Sequence, residues 1–260
     1  MSFTKWIGAA LGWSFGGPIG AIIGMALGSL VDGFSDSQPK IGPRPSQRRS
    51  SRSKRRPHPY QEQRPKTQSG DFEVSLLILA SIVIKADGQQ DERELEFVRQ
   101  QFLNMYGKER ANHAFELFKQ VSKQKVSKRQ VSLQIKQMMD HASRLQLLHF
   151  LFGIAKADGH VSEDELKTIN TISGYLGIGQ KDFESIKAMF YSEKRNAYKI
   201  LEIEESASDS EVKRAYRVMV KKYHPDRVSH LGPEHQKGAE EKFRRVQEAY
   251  EYIQNKRGFK

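Results

Sequence analysis

The chain has 260 residues, no cysteine and a formal net charge of +12, with 37% hydrophobic and 28% charged residues. This length accommodates one medium domain or two small ones. The missing cysteine excludes disulfides, a thiol nucleophile, an iron–sulfur cluster and any thiolate zinc site. A basic balance points to nucleic acid, an anionic membrane surface or an acidic protein partner, and its distribution decides among them. Residues 40–66 hold ten Lys/Arg against one acid, whereas residues 67–195 hold eighteen basic and seventeen acidic residues. Residues 196–260 hold fourteen and eleven. Most of the excess therefore sits in one short segment.

The N-terminal segment, residues 1–35, contains twenty-six consecutive uncharged residues from Trp6 to Val31. As a helix at about 1.5 Å per residue, this run would exceed the ~30 Å hydrocarbon core of a bilayer. Gly8, Gly12, Gly16, Gly20, Gly24 and Gly28 recur every fourth residue, a spacing that lets two membrane helices approach closely. The expectation is a Gly-zipper membrane helix that pairs two copies into a homodimer, bent at Pro18. Three other readings stand beside it. They are a cleaved signal peptide, a soluble Gly-rich hairpin broken at Gly16-Gly17-Pro18 with halves too short to span, and an interfacial helix.

Residues 36–70 form a basic Pro/Ser/Arg-rich stretch with almost no apolar side chains, and disorder is expected there. Tyr60 is its only ring for stacking on a base, so nucleic acid is an unfavoured partner. Positive charge beside a membrane segment stays cytoplasmic and can hold anionic lipid headgroups. The N-terminus is then outside the inner membrane, in a single pass, and the rest of the chain in the cytoplasm. The alternative location is wholly cytoplasmic.

Residues 71–192 repeat apolar side chains at helical spacing, as in Leu95, Val98, Phe102 and Met105, and in Leu166, Ile169, Ile172 and Leu176. About seven helices in one globule are expected. Ile82–Gly88 and Gly153–Gly159, each ending Lys-Ala-Asp-Gly, match at an offset of 71 residues, as do the stretches that follow them. This implies two related helix–turn–helix units about a pseudo-twofold axis. Gly88 and Gly159 fit the left-handed position past a helix end. Asp91 and Ser162 fit N-caps, with Glu94 and Glu165 completing capping boxes. The alternative reading is that Asp87, Glu94, Asp158 and Glu165 converge on a divalent cation. The repeated motif on an all-helical frame resembles the TerB (tellurite-resistance) family, and that resemblance implies acidic clusters of this kind.

Residues 196–260 open with a short helix around Tyr198, Ile200 and Leu201. Ser208 and Glu211 make a capping box, and a helix follows to about Tyr223. Lys213, Arg214, Arg217, Lys221 and Lys222 make it basic, and Arg214, Arg217 and Lys221 fall on one stripe. Pro225 stops the helix at His224-Pro225-Asp226. A loop runs through Leu231-Gly232-Pro233, and a long helix carrying Phe243, Val246, Ala249, Tyr250 and Ile253 returns. His224 and Asp226 have no serine or cysteine nucleophile placed beside them, so no catalytic residue is assigned and no enzyme is expected.

Four stretches of this segment, 196–201, 211–217, 223–227 and 243–250, closely resemble the J domain of DnaJ-type co-chaperones. Glu202 stands where that family usually has glycine, and Met219 where it usually has leucine. The resemblance implies that His224, Pro225 and Asp226 trigger ATP hydrolysis by a DnaK-type chaperone. It implies also that Lys213, Arg214, Arg217, Lys221, Lys222 and Arg227 dock on acidic chaperone surface. No cofactor is required for that role. A terminal J domain after a TerB-like domain and a Gly-rich N-terminal segment resembles the DjlA-like membrane-anchored co-chaperones, associated with chaperone and stress-response functions. The runner-up is a soluble metal-binding TerB-type stress-response protein with an accessory J domain.

Overall fold

The computed structural model describes residues 17–24, 69–86, 92–157, 159–191 and 196–259, and no strand occurs among them. The helices are α1 (Ser69–Val83), α2 (Glu92–Ser122), α3 (Lys128–Met138), α4 (His141–Ala155), α5 (Glu163–Tyr175) and α6 (Gln180–Ala188). After them come α7 (Asn196–Ile200), α8 (Asp209–Lys222), a 3₁₀ helix (Pro225–Leu231) and α9 (Pro233–Arg257). α2 is broken at Gly107, whose backbone leaves helical geometry at φ 74° and ψ 172°. Among the described residues the six helices between residues 69 and 188 thus form seven rods.

α1 and α4 are apolar on nearly every side, which places a helix in the middle of a bundle. Phe72, Leu76, Leu77, Ile78, Leu79 and Val83 of α1 are buried, as are Leu145, Leu147, Leu148, Leu151, Phe152 and Ile154 of α4. The two helices pack on each other, and they are the leading helices of the two sequence repeats. α3, α5 and α6 each bury one face only, for example Val131 and Ile135 of α3 and Ile169 and Ile172 of α5.

Caps fix where these rods begin. The Asp140 carboxylate accepts the Ser143 N–H at 3.0 Å at the start of α4. At α5 the Ser162 hydroxyl accepts from Glu165 N at 3.2 Å, and the Glu165 carboxylate accepts from Ser162 N at 2.8 Å, a complete capping box. Gly159 has φ 93°, and the other turn positions, Asp87, Gly88 and Asp91, lie outside the described residues.

In the C-terminal part α8 and α9 are antiparallel. Val212 and Met219 of α8 and Val246, Ala249 and Ile253 of α9 are buried, and the Tyr216 and Tyr250 rings stack at 4.2 Å. Residues 225–231, read from sequence as a loop, instead form a 3₁₀ helix. Pro225 presets its first turn, and Val228 and Leu231, three apart, are buried on one side.

The expectation of a membrane-crossing N-terminal helix does not hold for the described residues: none of their helices is long and apolar enough to cross a bilayer. Only 17–24 is described there, a stretch that as a helix extends about 12 Å. Gly17 opens it at φ 59°, outside right-handed helical geometry and open to glycine. Ile19 is buried, its N–H donates to Gln134 Oε1 at 2.8 Å, and the Ile22 carbonyl accepts from Gln124 Nε2 at 3.4 Å. Gly20 and Gly24 belong to this stretch. Gly8, Gly12, Gly16 and Gly28 lie outside the described residues.

Candidate functional site

The His-Pro-Asp turn stands where α8 gives way to the 3₁₀ helix. α8 closes at Tyr223, whose N–H still reaches Met219 O, and Pro225 prevents a further α-helical turn. His224 becomes the N-cap of the 3₁₀ helix: its Nδ1 accepts the Asp226 N–H at 3.3 Å, and the Asp226 carboxylate lies 3.6 Å from the same nitrogen. The Phe243 ring of α9 meets the imidazole edge-on at 6.0 Å. The imidazole is 48% exposed and the carboxylate 86% exposed. Backbone and ring are therefore braced from two sides while the polar atoms face outward.

The cations expected to accompany this turn divide into two groups. Arg214, Arg217, Lys221 and Arg227 are exposed. Arg227 donates to the Lys221 carbonyl at 3.5 Å, which draws the two residues together across the turn. Lys213 is half-buried, its ammonium 5.3 Å from the Phe259 ring centre. Lys222 differs: it is ion-paired to Asp182 of α6 and to Glu202 at 2.5 Å, and its side chain is only 19% exposed. Asp182 also accepts from His141 Nε2 at 3.3 Å. Burial alone would raise the Asp182 carboxyl, but hydrogen bonds and charge from His141 and Lys222 outweigh it and hold it well below the usual carboxylate range. Burial wins at Glu202, whose carboxyl is raised despite Lys222.

Sequence reading missed these contacts of Lys222 with Asp182 and Glu202. On the far side of the turn His230 Nε2 lies 3.0 Å from the Asp140 carboxylate and 3.2 Å from the Ser143 hydroxyl. Hydrogen bonds from Ser143 hold the Asp140 carboxyl below its ordinary value against the opposing effect of burial. Asp140 followed by Ser143 is a legible cap signature. Its pairing with a histidine 87 residues after Ser143 has no signature at all.

The acidic residues proposed for a cation are not gathered into a ligand set among the described residues. Glu94 and Glu165 are buried, and Asp87 and Asp158 lie outside the described residues. Among the described residues no group of three or more His, Asp or Glu side chains has metal-holding geometry. Glu165 Oε1 is nevertheless buried without a hydrogen-bond partner, its other oxygen being engaged by the cap.

Residues 73–188 match the family model for tellurite resistance protein TerB, and residues 196–258 match the DnaJ domain. The chain carries a TerB-like domain followed by a DnaJ domain. Residues 1–53 match the transmembrane domain of co-chaperone DjlA, so the domain order is that of the DjlA-like membrane co-chaperones. The chaperone protein DnaJ of Mesomycoplasma hyopneumoniae is 52% identical over 60 residues, 23% of this chain and 16% of that protein. The co-chaperone protein DjlA of Vibrio parahaemolyticus is 26% identical over 240 residues, 78% of this chain and 82% of that protein. DjlA of Photobacterium profundum is 30% identical over 149 residues, 46% of this chain and 54% of that protein. The chain thus spans about one sixth of the DnaJ relatives, through the J domain, and most of the length of the Vibrio relative. No solved structure matches it.

Proposed function

We propose that this chain is a co-chaperone whose J domain stimulates ATP hydrolysis by a cytosolic DnaK-type chaperone. Residues 1–53 would hold it at the inner face of the cell inner membrane, with the N-terminus outside. The observation that carries the reading is the braced, outward-facing His224-Pro225-Asp226 turn beside four exposed cations. The cations steer encounter with an acidic surface and set register. The turn then presents an imidazole and a carboxylate to the partner. All covalent chemistry belongs to the partner's ATPase, and binding shifts that enzyme toward its hydrolysis-competent arrangement. The similarity to the J domain and to DjlA proteins supports the same role, and the basic residues at 40–66 support the orientation.

The test is His224→Gln in the full-length chain. Single-turnover hydrolysis by the chaperone should fall to its unstimulated rate while circular dichroism is unchanged, because His224 is half exposed and the glutamine amide oxygen can also accept a cap hydrogen bond. Undiminished stimulation would remove His224 from the mechanism.

Glu165 supports a second role, a divalent-cation site in the TerB-like domain. Its buried Oε1 is a hard donor without a partner, and Glu94 is a second buried carboxylate. A cation there would neutralise buried negative charge and tie α5 to its neighbours. Titration calorimetry of the full-length chain with calcium, magnesium and zinc should give heat for at least one ion, lost in Glu165→Gln. Absence of heat with all three rejects the site.

A further inference from the structure

The contact between the J domain and the TerB-like domain has features of a reversible dock. α9 carries one buried stripe, His235, Ala239, Lys242, Val246, Ala249 and Ile253. Its second half packs within the J domain. Its first half meets the TerB-like domain: the His235 ring lies 4.5 Å from Phe72 of α1, and Lys242 donates to Gln146 of α4. Gly238 lies so close to Gln146 that an added methyl would collide with it. Ala142 and Leu145 of α4 line one narrow crevice with Tyr223, Val228 and Ala239.

Two features set this junction apart from an obligate core. It buries a lysine against a neutral amide, which costs free energy that an apolar side chain would not. It also borders a cavity of about 690 Å³, lined by Phe97, His149, Phe150 and Phe190 with Gly238 and Glu241 of α9. Its polar contacts flank the functional turn on both sides, Asp182 with Lys222 before it and Asp140 with His230 after it. The turn itself remains outside, on the rim.

We propose that the TerB-like domain is a built-in competitor for the J domain's chaperone-binding face, with Asp182 and Asp140 standing in for acidic chaperone surface. This rests on the co-chaperone reading above. In the docked form Asp182 joins the J domain's own Glu202 on Lys222, and α4 walls one flank of the turn. A chaperone must displace that wall to engage the turn, Lys222 and Arg227 together. The apparent affinity is then the intrinsic affinity reduced by the undocked fraction. Undocking alters the concentration needed for half-maximal stimulation and leaves the maximum unchanged.

The absence of cysteine permits a direct test in the full-length chain. Spin labels at Lys167→Cys on α5 and Glu251→Cys on α9, both exposed helical positions, report the distance between domains. In the parent chain one distance should dominate. Asp182→Lys should broaden it and lower the half-saturating chain concentration in the chaperone ATPase assay by about three- to tenfold. Lys242→Met, which replaces a buried charge by an apolar chain of similar length, should sharpen the distance and raise the half-saturating concentration. A broadened distance with unchanged or weaker stimulation overturns the proposal, as does an unbroadened distance in Asp182→Lys. If Asp182→Lys does not fold, Lys242→Met decides alone, and an unchanged or lowered half-saturating concentration overturns it. If neither parent nor variants stimulate while the distances shift as described, the failure lies in the co-chaperone reading.

Discussion

Glu202 holds its backbone at φ 59°, the left-handed region, in the turn between α7 and α8. For a residue with a Cβ this conformation costs about 1–2 kcal/mol, part of which glycine's greater unfolded-state entropy would return. The side chain offers little compensation, since burial raises the Glu202 carboxyl even beside Lys222, and Lys222 keeps Asp182 as a partner. Glu202→Gly should therefore stabilise the chain by about 1 kcal/mol, seen as a raised denaturation midpoint. A lowered midpoint would show that the Lys222 pair outweighs the strain. This position was visible in sequence as a departure from the J-domain pattern, because left-handed turns leave a glycine-shaped mark. The roles of Asp182 and Asp140 were not visible: each reads as an ordinary first-turn or capping acid, and only the tertiary structure brings a cation to it.

At the scale of elements, the rods were legible wherever apolar spacing met a cap, as at Ser162 with Glu165 and Ser208 with Glu211. The 225–231 helix was read as a loop because proline and polar residues mask a three-residue period held by Val228 and Leu231. The first half of α9 was hidden for another reason. His235 and Lys242 look like solvent residues and are buried only because α1 and α4 lie over them. Burial pushes Lys242 down to about 7, and the nearby Glu241 opposes this weakly. The same lysine, with Arg245, adds to the burial that depresses His149.

A pH dependence follows from this burial. In the unfolded chain Lys242 binds its proton up to the usual amine value of 10.5, and in the folded chain only to about 7. Between those values the unfolded state holds more protons, so this group makes stability rise with pH from about 7 toward 10.5. Below about 7 it is charged in both states and its unfavourable contribution is greatest. Asp182 acts in a separate window: its depressed carboxyl contributes stability above the ordinary value of 3.8, which is lost as pH falls below it. Denaturant midpoints at pH 7 and pH 9.5 should therefore rise with pH in the parent chain and lie closer together in Lys242→Met. An equal rise in the variant would assign the slope to other groups.

For the whole molecule, the arrangement joins a repeat-built helical core to a J-domain hairpin through contacts that leave the His-Pro-Asp turn on the rim. The hairpin was readable because its tripeptide, caps and basic stripe are local in sequence. The membrane-crossing helix expected from glycine periodicity is not found among the described residues, where Gly17 takes a left-handed backbone and 17–24 is too short to span a bilayer. The placement of one domain on the other has no local sequence signal. The most direct test of the central claim is single-turnover ATP hydrolysis by a purified DnaK-type chaperone, titrated with the full-length chain. The rate should climb to a plateau that His224→Gln does not reach at any concentration. A flat titration with the parent chain, or a matching plateau with His224→Gln, would contradict it.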